Sequence, residues 1–72
     1  MAWEEYDPRT IRGIMQTRGL NAGDVSRRTR GKAGRSTVRN LILGVKETAQ
    51  EKTLSAVAKA LYVSADKLRG ER

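Results

Sequence analysis

Apolar residues recur along this chain at the spacing of amphipathic helices. Ile11, Ile14 and Met15 fall at positions i, i+3 and i+4, and Val38 and Leu41 repeat the i, i+3 spacing. An alternation of β-branched and polar residues would indicate a strand, and no run of the chain shows it. The chain is therefore predicted to be all-α, a compact domain of four to five helices over residues 8–18, 22–29, 35–43, 49–61 and 65–69.

The helix predicted over 49–61 has the clearest pattern. Its apolar positions fall at i, i+3, i+4 and i+7: Leu54, Val57, Ala58 and Leu61. Thr48 and Glu51 are predicted to form a capping box at its start. The helix over 22–29 is less apolar, and Val25 is its clearest inward-facing residue.

Capping residues mark the other helix ends. Asp7 suits the N-cap of the first helix and Pro8 its first position. Asn21 suits the N-cap of the second helix, where the carboxylate of Asp24 would oppose the positive end of the helix dipole. Gly44 suits the end of the third helix.

Residues outside the four main helices are expected to complete the core. Trp3 and Tyr6 precede the first helix and could either cover the core or lie loose, and core cover is expected. Ser64 is predicted to cap a final turn or two, from which Leu68 points back into the domain.

The overall composition indicates one small domain. The chain has 72 residues, no Cys and a formal net charge of +7. Without Cys no disulfide can form. The first residues are acidic and lack the apolar core of a signal peptide, and no apolar run approaches the ~18 residues that span a bilayer. We expect a protein of the cytoplasm, associated with the nucleoid and not with a membrane.

Positive charge is concentrated in one segment. Six of the fifteen basic residues fall within 27–39, where no acid interrupts them: Arg27, Arg28, Arg30, Lys32, Arg35 and Arg39. The other nine are nearly balanced by the eight acids. Solvated faces usually mix their charges, so this segregation favours an anionic partner over a merely solvated basic loop.

Catalysis and nucleotide binding fit the sequence poorly. A Walker-type phosphate loop requires Gly-Lys followed by Ser or Thr, but here Gly31 and Lys32 are followed by Ala33. The chain has no His and no Cys, so it lacks the commonest general base, a thiol nucleophile and the usual structural-zinc ligands. We expect no enzymatic activity, no metal and no cofactor.

Binding to double-stranded DNA is the remaining interpretation of the basic segment. Two short helices joined by a glycine-containing turn, with basic residues around the second, describe a helix-turn-helix. The second helix of that motif enters the major groove by its N-terminal end. On the helix over 35–43, Arg35 could bond guanine and Asn40 could bond adenine.

The sequence also resembles the Cro and phage-repressor family of helix-turn-helix domains, the Xre family. The resemblance runs from Ile11 to Leu68 and is strongest in LSAVAKALYVSADKL, which is similar to the family's fourth helix and the start of its fifth. RSTVRNLILG resembles the recognition helix with its glycine stop. The family implies a five-helix, lambda-repressor-like domain that binds operator DNA, usually as a dimer, and so a phage- or prophage-type transcriptional regulator, repressor-like in action.

Site residues follow from the resemblance and from the charge pattern. Arg35, Ser36 and Asn40 match the family's base-reading positions, Thr37 and Arg39 match positions that touch backbone or neighbouring bases, and Lys46 matches a frequent phosphate contact. The charge pattern adds three phosphate contacts in the turn region: Arg28, Arg30 and Lys32. A homodimer through the C-terminal helix is expected.

The chain departs from the family pattern at several positions. Asn21-Ala22 replaces the usual Ser-Gln, and the turn over 30–34 is longer than usual. Tyr62 stands where Gly is common, so a positive φ is predicted there. Ile42 and Leu43 stand at usually polar positions, and one of them is expected to join the core while the other is exposed.

Two further interpretations stay open. The chain could be an antitoxin-like protein-interaction module that binds a protein partner through an apolar edge of Ile42, Leu43, Tyr62 and Leu68. Non-specific or RNA binding is disfavoured, because no aromatic residue for stacking lies within the basic segment.

Overall fold

Five α-helices and one small antiparallel sheet form the fold in a computed structural model, which describes residues 3–46 and 48–69. The helices are α1 (Pro8–Thr17), α2 (Ala22–Arg28), α3 (Arg35–Leu43), α4 (Glu51–Ala60) and α5 (Ala65–Leu68). The strands are β1 (Trp3–Glu5) and β2 (Thr48–Gln50). The chain is mostly helical, as predicted. Within the described ranges no helix is long and apolar enough to cross a membrane.

The sheet is the main departure from the all-α prediction. β1 pairs antiparallel with β2, so that Trp3 lies opposite Gln50 and Glu4 lies opposite Ala49. Each strand has three residues, too few for a period-2 pattern to stand out from the sequence. The pairing joins segments that are far apart in the chain, and such a contact leaves no local signal.

The capping box predicted for Thr48 and Glu51 is wrong. Thr48 is part of β2, and α4 begins only at Glu51. Gln50 is the N-cap, and its side chain makes no capping hydrogen bond. The backbone of residues 48–50 pairs with β1 instead of continuing the helix.

The predicted apolar stripes form one core. Ile11 of α1, Val25 of α2 and Val38 of α3 are fully buried. From the C-terminal half, Leu54, Val57, Leu61 and Leu68 are fully buried as well. Met15 and Leu41 are also buried, whereas Ile14 is half-buried at the margin. Hydrophobic periodicity therefore predicted the inward faces of the main helices correctly.

The predicted N-caps of α1 and α2 are confirmed. The Asp7 carboxylate accepts a 2.9 Å hydrogen bond from the backbone N–H of Arg9. The Asn21 side chain accepts one from the N–H of Asp24 at 2.8 Å, and the Asp24 carboxylate accepts one from the N–H of Asn21 at 3.1 Å. This reciprocal pair is a complete capping box, which fixes the start of α2.

Candidate nucleic-acid interface

The outer face of α3 carries most of the predicted DNA-contacting side chains. Val38 and Leu41 are buried and hold the helix against the core. The predicted site residues on the rest of its surface are all exposed: Arg35, Ser36, Thr37, Arg39 and Asn40. The helix thus separates a packing face from a polar, basic face, and the second can meet a ligand without disturbing the first.

Neighbouring helices hold α3 closely at both ends. It packs against α1 and α2. At its C-terminal end Gly44 has φ +68°, and a Cβ built there would lie 3.1 Å from Cγ of Pro8. Glycine is therefore favoured twice, by the left-handed backbone and by the close approach of Pro8 at the start of α1. At the other end the aliphatic part of Arg35 lies against Gly23 of α2.

The turn between α2 and α3 is built around the side chain of Thr29. Its hydroxyl donates to the carbonyl oxygen of Ser26 at 2.6 Å and accepts a 3.1 Å hydrogen bond from the N–H of Ala33. The Ser26 hydroxyl donates to the carbonyl oxygen of Ala33 at 2.9 Å. Thr29 and Ala33 are both buried, so the long turn has a fixed internal support.

Two basic side chains project from this supported turn. Arg30 adopts a left-handed backbone with φ 56°, and Gly31 follows with φ 85°. Arg30 and Lys32 are exposed, while Ala33 between Lys32 and α3 is buried. The turn therefore presents both cations beside the N-terminal end of α3. Gly34 is the N-cap of that helix.

Arg27 and Arg28 are engaged within the protein. Arg27 forms a salt bridge with Asp24 one helical turn away. The guanidinium of Arg28 lies 5.3 Å from the ring centroid of Tyr62 and donates to the carbonyl oxygen of Ala60 at 3.4 Å. The guanidinium of Arg28, a predicted phosphate contact, is therefore already engaged by other groups of the protein.

Lys46 lies in the loop between α3 and β2 and has an exposed side chain. Its backbone carbonyl accepts a 2.7 Å hydrogen bond from the hydroxyl of Tyr6, which is buried as predicted. Burial raises the pKa of the Tyr6 phenol, which keeps the donor protonated. The bond ties the loop that carries Lys46 to the N-terminal segment.

Most of the site cations form no ion pair with another described residue. Within the described residues, the recorded ion pairs involve only Asp7 with Arg9, Asp24 with Arg27, and Arg69 with Glu4 and Asp66. The remaining basic site residues take no part in them: Arg30, Lys32, Arg35, Arg39 and Lys46. Their charges add to a positive field on the side of α3, its turn and its following loop.

A groove beside α3 brings Trp3, which was not predicted as a site residue, next to three residues that were. Thr37, Asn40 and Lys46 line it together with Trp3. Trp3 was expected to cover the core, but it is 57% exposed. That prediction is wrong: Trp3 belongs to β1, which pairs with β2, and its side chain lines the groove and is not buried in the core. A sequence pattern cannot show this, since the pairing is non-local.

The predicted apolar edge does not form. Leu68 is completely buried, and Ile42 packs against the core. Leu43 is 60% exposed, so the prediction that one residue of the Ile42–Leu43 pair would be buried and the other exposed is confirmed. Tyr62 is 71% exposed and has the predicted positive φ, 59°. Its ring is flanked by the guanidinium groups of Arg18 and Arg28.

Comparison with known proteins adds no relative. No family model, no curated protein and no solved structure matches this chain. Among the described residues, no group of three or more His, Cys, Asp and Glu side chains is placed to hold a metal ion. The geometry and charge of the α3 face are therefore the features that point to a function.

Proposed function

We propose that this protein binds double-stranded DNA in a sequence-specific manner, as a phage- or prophage-type transcriptional regulator of the Cro and phage-repressor kind. One observation carries the proposal. Apart from Leu43 at its C-terminal end, the exposed face of α3 is polar and basic, and its buried face is held by Val38 and Leu41 in the core. An α-helix fits the major groove, where each base pair presents a distinct set of donors and acceptors.

In this proposal α2, the turn and α3 act as the helix-turn-helix, and α3 enters the groove by its N-terminal end. Arg35 stands at the first position of α3 and would pair with guanine. Asn40 lies further along the helix and would pair with adenine, and Ser36 would reach a base edge near Arg35. These contacts would discriminate between sequences.

Backbone contacts would supply most of the affinity. Arg30 and Lys32 stand at one end of α3, Lys46 stands beyond the other, and Thr37 and Arg39 lie between them. Each phosphate neutralised by a Lys or Arg releases counterions, so binding would weaken as salt rises. Regulation would then require no catalysed reaction, because the protein bound at its operator would block or recruit the transcription machinery.

Dimer formation is part of the proposal. A dimer would read two half-sites about one helical turn apart, which gives more specificity than a single α3 could. The side chain of Leu68 is buried within its own chain, so a contact through the C-terminal helix would use more exposed neighbours such as Asp66 and Lys67. The oligomeric state is checked by sedimentation with and without DNA.

Competition binding tests the proposed function. The full chain is titrated onto a labelled duplex in the presence of unlabelled duplex, single-stranded DNA or RNA. We expect unlabelled duplex to compete best. Equal competition by all three nucleic acids would show that the basic face binds polyanions without regard to the duplex, and would overturn the proposal.

A further inference from the structure

A groove of about 220 Å³ lies between α3 and the two-stranded sheet. On the α3 side its wall is formed by Thr37 and Asn40, and the loop contributes Lys46. On the sheet side the wall includes Trp3 of β1 and Gln50 of β2, which face each other in the strand register. The groove is therefore continuous with the face that is proposed to read DNA.

We propose that this groove receives the sugar–phosphate backbone of the DNA strand next to α3, with the indole of Trp3 packed against a deoxyribose. The inference rests on the proposed function and assigns to the sheet a part in the same interface. It makes β1, which lies outside the helix-turn-helix, a contributor to binding.

The polar chemistry of the groove suits a phosphodiester. Lys46 supplies a cation, Thr37 and Thr53 supply hydroxyl groups, and Gln50 supplies an amide. Side chains of these types make the sugar and phosphate contacts in protein–DNA complexes. Among the described residues that line the groove there is no Asp or Glu to repel an anion.

The size of the groove indicates that it encloses only part of a larger ligand. Pockets that enclose a whole small molecule usually measure ~300–1,000 Å³, and this groove measures about 220 Å³. It is only partly enclosed, and a strand lying against Asn40 would continue into it. One sugar–phosphate unit of a polymer needs only such a partial enclosure.

Trp3 is held in place to receive that unit. β1 pairs with β2, Glu4 forms a 2.8 Å salt bridge with Arg69, and Tyr6 is hydrogen-bonded to Lys46. The indole nevertheless stays 57% exposed. The flat apolar face of an indole can pack against the apolar side of a deoxyribose. Its N–H can donate to the phosphate attached to that sugar.

The single tryptophan of the chain makes the inference measurable. The full chain is titrated with a short duplex labelled at one end, while label anisotropy reports binding and Trp3 emission reports the groove. We expect the emission to be quenched, and its accessibility to acrylamide to fall, in parallel with anisotropy. Trp3→Ala should weaken binding roughly fivefold or more, the scale of losing one aromatic contact to nucleic acid, whereas Trp3→Phe should retain most of the affinity.

Controls separate the possible failures. Leu43→Ala, at an exposed apolar residue outside the groove, should bind like the parent, and circular dichroism checks that each variant is folded. Normal anisotropy with unchanged Trp3 emission and unaffected Trp3→Ala binding would overturn the groove assignment alone. Stronger quenching and tighter binding by single-stranded DNA would show that the groove takes a base and would overturn the backbone assignment. No anisotropy change with any duplex would overturn the proposed function and this inference with it.

Discussion

The hydroxyl of Thr29 accepts a hydrogen bond from the backbone N–H of Ala33 across the turn between α2 and α3, with 3.1 Å between the oxygen and the nitrogen. Both residues are buried, although the turn around them is basic and otherwise exposed. The bond closes the turn from within. It positions Arg30 and Lys32 on the outside, where the proposed phosphate contacts are made.

Replacing this hydroxyl should loosen the turn. Thr29→Val keeps the shape of the side chain but leaves the N–H of Ala33 without its acceptor, at a cost of about 1–3 kcal/mol in the free energy of unfolding. Thr29→Ser is the matched control, because it keeps the hydroxyl and loses only a methyl group. Urea denaturation measures both. Equal stability of the Val variant and the parent would show that the turn does not depend on this bond.

Two glycines offer a matched test of how α1 packs on the end of α3. Gly19 and Gly44 have nearly the same φ, +66° and +68°, but only a Cβ at Gly44 would meet Pro8. Both Gly→Ala changes should cost about 1–2 kcal/mol from left-handed strain. Gly44→Ala should cost more, because Pro8 must also shift. Thermal unfolding of the two variants gives the difference, and an equal loss at both positions would rule out the close contact with Pro8.

Acid should destabilise the start of α2. The backbone N–H of Asn21, followed by the side chain of Arg27, holds the pKa of Asp24 below its ordinary value of 3.8. Because the folded-state pKa is the lower one, the stabilisation by Asp24 is complete above pH 3.8 and is lost as the pH falls through the folded-state pKa.

The Asp24→Asn variant isolates this effect. Its unfolding midpoint should change less than that of the parent when the pH is lowered from about 5 to about 2, because the carboxylate that titrates is gone. Thermal melts followed by circular dichroism at a series of pH values measure the change. Parallel curves for variant and parent would contradict the assigned role of Asp24.

Base reading and phosphate contact should respond differently to mutation. Arg35→Ala should cost roughly 1–3 kcal/mol on the preferred site and relax the preference at one base position. Lys32→Ala, the matched loss of one charge, should weaken binding to all duplexes alike and reduce the salt slope by about one. Titrations of both variants on matched and mismatched duplexes distinguish these outcomes. A uniform loss for Arg35→Ala would make Arg35 a phosphate contact only.

Local features of the fold were predictable from the sequence. The stripes through Ile11, Val38 and Leu54 predicted helices, since burial at helical spacing is a local pattern. The starts of α1 and α2 could be predicted from Asp7 and Asn21, because an N-cap side chain accepts its hydrogen bond from the first turn of its own helix. The exposed side of α3 followed directly from the burial of its other side.

Features that depend on distant contacts were not predictable. The strands formed by Trp3–Glu5 and Thr48–Gln50 exist only because the two segments meet in the folded chain. The exposure of Trp3 and the groove it lines depend on that pairing. Leu68 was rightly expected to point inward as part of the last helix, and this burial is the reason it cannot also form an apolar edge.

Selection from a library of duplex fragments tests the central claim most directly. The full chain is incubated with the library, and bound fragments are recovered and sequenced at a low and a near-physiological salt concentration. The proposed function predicts a palindromic motif that is recovered at both concentrations, because base contacts persist when phosphate attraction is screened. Recovery of no motif, with binding lost as the salt concentration rises, would contradict sequence-specific recognition and leave only electrostatic attraction to DNA.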